Sequence, residues 1–279
     1  MTIISEGILP ISQSSFLRVG NGEEKLGCGS FLTIGCLNVE KHVGTNLDGV
    51  NMEGKAVLKR VKRSCHRAVC PTCWKDWANR EVKRSVHRLH AFVLKGRSLK
   101  PIHVTVSVPT FDYDLDFPGM RKKVYRALRN VKMIGGMMIY HPFRQNHVNK
   151  AWYFSPHFHV VGYGWLVDVR ANFMKWGYVV KNIGIRKTLE GTIWYQLSHA
   201  GVSEKYHSVT WFGALSYGKL HVKYEEKKET VCPVCGDPMH VVVYVGGGEF
   251  PIPDVVGGYY FDDPSNWFEK NIVFRGYED

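Results

Sequence analysis

Residues 155–162, Ser155-Pro156-His157-Phe158-His159-Val160-Val161-Gly162, decide how the chain is read. Successive side chains of a strand alternate between faces, so His157 and His159 point one way and Phe158 the other. Pro156 closes the preceding loop, where no ladder hydrogen bond is needed. Two imidazoles one alternation apart can share a divalent cation, and neutral nitrogen ligands suit Mn²⁺ as well as Zn²⁺. The plainer alternative is a pair of half-exposed strand histidines with no ligand.

Working outward, residues 136–143 (GMMIYHPF) and 157–165 (HFHVVGYGW) read as two strands joined by a polar loop. If they are antiparallel neighbours, His141 meets the histidine pair across the ladder and becomes the third ligand. His103 and His147 compete for that place. Residues 102–108 (IHVTVSV) alternate as a strand closed by Pro109, and 118–132 form a helix opened by Pro118. Residues 177–183 are strand-like, a helix covers about 186–199 and stops at Gly201, and 207–216 supply another strand. Upstream, Trp74, Trp77, Val82, Val86, Leu89 and Val93 give residues 74–95 a helical period. The order β-α-β-β-(β)-α-β is the split arrangement of ferredoxin-like folds, an α+β class in which helices cover one face of an antiparallel sheet.

A cation that polarises a phosphodiester calls for a nucleophile in line with the leaving oxygen. The helix RKTLEGTIWYQLSHAG carries Tyr195, two residues off the apolar row Leu189, Ile193, Leu197 and about 200° around from Ile193. Tyr195 is therefore the candidate nucleophile, able to form a covalent phosphotyrosine. A core aromatic is the alternative, though Trp194 suits that role better. Tyr178, Tyr206 and Tyr217 lie on or beside strands and rank behind it. No Gly-x-Ser-x-Gly elbow and no Walker-type phosphate loop occurs.

The seven cysteines are odd in number, and four fall in CPxC pairs, a pattern of metal ligation rather than disulfides. Cys65, Cys70 and Cys73 have the spacing of a zinc knuckle that lacks one ligand. Cys36 is the preferred fourth, with Cys28 or His42 as alternatives. Cys232-Pro233-Val234-Cys235-Gly236 is a second knuckle, for which His221 and His240 are nearby helpers. A single ribbon of Cys70, Cys73, Cys232 and Cys235 is the other arrangement. A plain turn that binds nothing is the bland one. Zn²⁺ here would be structural, stapling segments too small for their own core.

The formal net charge of +12 suits a polyanionic partner. Basic and aromatic residues interleave at 59–67, 80–88 and 121–129 and could track a single strand, or simply be solvated faces. Apolar residues at 44% and charged ones at 22% favour a folded chain. No stretch approaches the roughly 20 apolar residues that span a bilayer, and the opening residues lack a secretory pattern, so no membrane association and an intracellular, cytoplasmic setting are expected. Three regions are expected: 1–98, a zinc-binding segment with a basic helix; 99–222, the catalytic core; and 223–279, the CPVC knuckle and tail.

Over residues 100–217 the chain resembles the HUH endonuclease superfamily, specifically rolling-circle replication initiators of archaeal plasmids and viruses. IHVTVSVP is similar to the first motif, His157-Phe158-His159 to the HUH motif, and the helix bearing Tyr195 to the third. The resemblance implies a ferredoxin-like or RRM-like core, and a Mn²⁺ or Mg²⁺ held by His157 and His159. It also implies attack by Tyr195 on single-stranded or hairpin origin DNA, with a host helicase and polymerase as further partners. Where many initiators carry a lysine three residues after the tyrosine, this chain has Ser198; His199 is assigned the positioning or proton-handling role. His199 also stands where two-tyrosine relatives place their second tyrosine, so a single-tyrosine enzyme is expected. The segment around Cys65, Cys70 and Cys73 is similar to the zinc segment of HUH transposases. A transposase or relaxase, a non-catalytic zinc-containing DNA-binding regulator and a zinc hydrolase are the competing functions.

Overall fold

The computed structural model of the chain describes residues 15–93, 99–224, 230–254 and 256–270. Along the chain run β1 (Leu17–Arg18), β2 (Phe31–Cys36), β3 (Asn46–Leu47), β4 (Val50–Asn51), β5 (Ala56–Lys62) and α1 (Trp74–Val93). Next come β6 (Ile102–Ser107), α2 (Phe117–Asn130), β7 (Met133–Gln145), β8 (Trp152–Gly164), α3 (Val169–Trp176), β9 (Val179–Asn182) and α4 (Leu189–Leu197). The last elements are β10 (Gly201–Val202), β11 (Val209–Gly213), β12 (His240–Tyr244), β13 (Tyr260–Asp262) and β14 (Trp267–Glu269). The fold is mixed α/β with antiparallel sheets.

The elements fall into two units that cut across the linear division at residues 98 and 222. The larger joins Cys65–Tyr224 to the described residues before Leu26; the smaller joins Leu26–Ser64 to the segment after Tyr224. The reason is strand pairing. β2 pairs with β12, and β5 with β13, so the two ends of the sequence build one sheet of order β13-β5-β2-β12-β14. Its apolar contacts are small: Cys36, Met52, Val57, Cys232 and Met239 in one group, Ala56, Leu58, Val242, Ile252 and Trp267 in another.

In the larger unit the sheet order is β11-β7-β8-β6-β9, every pair antiparallel. Long β7 and β8 lie at its middle, and both have consecutive apolar residues (Met137-Met138-Ile139, Val160-Val161), which puts both faces of the sheet out of water. On one face, Met120, Val124 and Leu128 of α2 pack with Val104, Val106, Met138, Tyr140, Phe158 and Val160. On the other, Trp77, Val82 and Leu89 of α1 and Ile193 and Leu197 of α4 pack with Met137, Ile139, Val161 and Tyr163. Helices on both faces correct the expectation of one covered face. The apolar stripe of α1 occupies the second.

Several local signals act as their chemistry dictates. Asp116 caps α2 by accepting from the Gly119 N–H at 2.8 Å, with Pro118 in the first turn. Thr188 caps α4 in the same way from Gly191, so that helix starts at Leu189 rather than 186. Helix α3 lies in residues 169–176, to which the sequence pattern assigns no element; it ends at Gly177, whose φ of 72° needs glycine. Gly136 and Gly162 face one another across β7 and β8, so close that a Cβ on Gly162 would lie 2.2 Å from the Gly135 carbonyl oxygen. Among the described residues no helix is long and apolar enough to cross a membrane.

Candidate metal centre

The register of the larger sheet brings the histidines together. His141 of β7 is the direct partner of His157 of β8, and Ile139 that of His159, so all three imidazoles emerge on the face covered by α1 and α4. One ligand nitrogen from each lies within 4.8 Å of the others. His103 of β6 is not in this set, and neither is His147.

Each ring is held by one nitrogen with the other left over. His157 Nδ1 bonds the Ser155 carbonyl at 2.8 Å. His159 Nδ1 meets His103 Nε2 at 2.9 Å, and His103 Nδ1 meets the Gly184 carbonyl at 3.2 Å. A carbonyl only accepts, so His103 donates from Nδ1 and accepts at Nε2. His159 therefore donates from Nδ1, and its Nε2 keeps a lone pair. His141 bonds the backbone carbonyl of Gln196, and its Nε2 is buried with no hydrogen-bond partner among the described residues. An orphaned buried nitrogen is costly unless something binds it. Burial, with help from the neighbouring imidazoles, pushes His141 and His159 well below the usual histidine range. Burial and then Arg144 bring His157 to about 4. Neutral imidazoles are the form that ligates, so these residues fit a divalent ion. Because no carboxylate belongs to the set, a bound dication would keep its full charge for an anionic ligand.

Helix α4 brings Tyr195 to the same place. Its side chain is 41% exposed, and its ring centroid lies 4.6 Å from that of His199, which is 4.8 Å from that of His141. The Arg186 guanidinium sits 3.5 Å over the Tyr195 ring. Burial first, then Arg18 and Arg186, lower His199 to about 4. A groove of about 850 Å³ is lined by Arg144, Trp152, Tyr153, His157, Tyr195 and His199 among others. Arg18 stacks 3.9 Å over Trp152, and Arg144 donates to Ser107 Oγ at 2.9 Å. Among the described residues the ion pairs engage other cations, leaving Arg18, Arg144 and Arg186 without a carboxylate partner.

The three tyrosines ranked behind Tyr195 do not line the groove. Tyr178 donates to Asp112 at 2.7 Å, Tyr206 packs on Phe16 and Phe117, and Tyr217 lies under Arg88. Two of the basic clusters also lose members to the scaffold. Arg88 is buried, donating to the Leu215 and Leu220 carbonyls, and Arg60 bonds Thr33 and Asp254. Arg18, Arg144 and Arg186 lie outside the three basic clusters of the sequence, so charge density along the chain does not point to them. His103 was weighed only as a ligand; its register beside His159 is what reveals the supporting role.

Cys65, Cys70 and Cys73 converge in the larger unit as their spacing predicts. Cys36 does not complete that set, which corrects its expected place. It groups with His42, Cys232 and Cys235 in the smaller unit, because β2 carries it to the knuckle through pairing with β12. The single ribbon of Cys70, Cys73, Cys232 and Cys235 is thereby replaced by two sets. His240 sits on β12 beside Glu269, outside both sets.

What the fold and these sites define is a mixed α/β protein whose histidine and cysteine groups are able to hold metal ions such as zinc. The chain matches no protein-family profile, no curated protein and no solved structure.

Proposed function

We propose that the protein nicks and rejoins single-stranded DNA by tyrosine transesterification, as an HUH-type initiator of rolling-circle replication. The observation that carries this reading is the convergence of three imidazoles, one with a buried Nε2 that has no partner among the described residues, beside an accessible tyrosine in a groove flanked by guanidinium groups that meet no carboxylate among those residues. The strand order, with β6 between β8 and β9 and β7 on the far side of β8, supports the ferredoxin-like core that such enzymes have.

His141, His157 and His159 would hold Mn²⁺ or Mg²⁺, which when bound withdraws charge from the phosphate oxygens. Tyr195 Oη attacks phosphorus and loses its proton. The P–O3′ bond breaks, the 3′ oxygen takes up a proton, and the 5′ phosphate stays on the tyrosine. Reversal by an incoming 3′ hydroxyl reseals the strand. Arg18, Arg144 and Arg186 hold the phosphates on either side of the cut. His199, between His141 and Tyr195, positions the phenol. In the larger unit, Cys65, Cys70 and Cys73 hold a structural zinc.

The test uses end-labelled single-stranded oligonucleotides tiling the chain's own replicon, with Mn²⁺, read on a denaturing protein gel. A labelled protein band that disappears in Tyr195→Phe is expected. A band that survives that substitution moves the nucleophile elsewhere. Tight binding with no band for any segment favours a zinc-containing DNA-binding regulator instead.

A further inference from the structure

The smaller unit holds a second set of metal-binding side chains that the nicking chemistry does not use. Cys36 ends β2, His42 follows in a short helical turn, and Cys232 and Cys235 sit on the knuckle before β12. Cys36 Sγ lies 3.7 Å from Cys235 Sγ and 3.6 Å from His42 Nε2; Cys232 Sγ lies 3.5 Å from the same Nε2. Bonds of about 2.3 Å to sulfur and 2.0–2.1 Å to nitrogen in a tetrahedron give S···S edges of about 3.8 Å and S···N edges of about 3.6 Å. The observed edges are those of a Cys₃His zinc tetrahedron. They also leave Cys36 and Cys235 well beyond disulfide bonding distance, about 2.05 Å.

The surroundings are built for the same purpose. His42 is fully buried, and its Nδ1 bonds the Lys55 carbonyl at 2.9 Å, which fixes the tautomer whose Nε2 faces the sulfurs. Backbone N–H groups of Asn38, and of Val234 and Cys235, donate to Cys36 and Cys232 respectively. Such donors stabilise thiolate ligands. Gly236, at φ 77°, turns the knuckle so that its N–H bonds the Cys232 carbonyl at 2.9 Å. Lys41 and Asn38 both bond Asp237, tying the two halves of the ligand set from outside.

We infer that Cys36, His42, Cys232 and Cys235 form a closed structural zinc site that folds the smaller unit. Four protein ligands leave no open position, so the ion is a staple and not a catalyst. Its partners lie 199 positions apart in sequence, and the apolar groups around them are small, the circumstance in which a metal supplies folding energy that the core cannot. This zinc site takes no part in the nicking reaction.

The full chain, purified without chelator, is compared with Cys232→Ser and His42→Cys by elemental analysis and by cobalt replacement. Cys232→Ser should lose one equivalent of zinc while the equivalent at Cys65, Cys70 and Cys73 remains. His42→Cys keeps four ligands, so it should retain the metal and shift the cobalt bands from an S₃N to an S₄ pattern. Full zinc retention by Cys232→Ser overturns the site. If that variant fails to fold, an unchanged cobalt spectrum in His42→Cys overturns it. Loss of two titratable thiols with no zinc in the smaller unit, the mark of a disulfide, does so as well.

Discussion

At the scale of single residues, the candidate metal centre depends on side chains outside its ligand set. His103 accepts from His159 and donates to the Gly184 carbonyl, so it decides which nitrogen of His159 is free to ligate. His103→Leu removes the acceptor, and Mn²⁺ affinity should fall by about 10–100-fold, the usual cost of losing such a partner. His103→Gln offers an amide oxygen to His159 and an N–H to the carbonyl, so it should recover most of the loss. Calorimetric Mn²⁺ titration of both variants checks this, and equal affinity in Leu, Gln and wild type would sink it. Protonation tests the same cluster. His157 and His199 stay neutral down to about pH 4 in the folded chain because burial opposes their charge, while unfolded histidine takes up its proton near pH 6.5. The unfolded state therefore binds more protons between those values. The metal-free chain should be most stable above pH 6.5, lose stability as pH falls from 6.5 to 4, and level off below. Urea midpoints across that range measure it, and a flat profile would show the histidines to be solvated.

At the scale of elements, β7 and β8 must approach closely for their histidines to share a point. Gly136 and Gly162 permit it. Gly162→Ala drives a methyl into the Gly135 carbonyl, which should destabilise the fold by about 1–3 kcal/mol and weaken Mn²⁺ binding at a residue without a ligand atom. Thermal melts with and without Mn²⁺ would show it, and an unchanged midpoint would mean the strands separate freely. The parts of this sheet visible in sequence are those written locally. Alternation in 157–162, Pro109 after β6, and Pro118 in the first turn of α2 each act within a few residues. The His141–His157–His159 group was readable because two adjacent strands carry it. Helix α3 was not, since it has eight residues and leaves Phe173 and Met174 exposed, giving no apolar period. The pairing of β2 with β12 was not either, because nothing local encodes a partner so distant in the chain. That pairing is why Cys36 and His42 ended in the other cysteine set. Register, equally, is what separates a candidate ligand such as His159 from its support, His103.

At the scale of the whole molecule, a net charge of +12 attracts any polyanion, so DNA binding alone would not show that the groove is used. The salt dependence of binding distinguishes the two cases. Each single-strand phosphate neutralised by a side chain contributes about −0.7 to the slope of log affinity against log salt. If Arg18, Arg144 and Arg186 each hold a phosphate, replacing all three with Gln in a Tyr195→Phe background should flatten the slope by about 2. Replacing the exposed Lys83, Lys122 and Arg129 with Gln removes the same charge from α1 and α2 at residues that do not line the groove. It should change affinity modestly and leave the slope nearly intact, because diffuse charge acts mainly through screened attraction. Fluorescence anisotropy with a labelled single strand from 50 to 300 mM salt gives both slopes. Equal flattening by the two triple variants would mean that DNA is held by net charge and not by the three guanidinium groups beside Tyr195, and the assignment of the groove as the path of the scissile strand would fall with it.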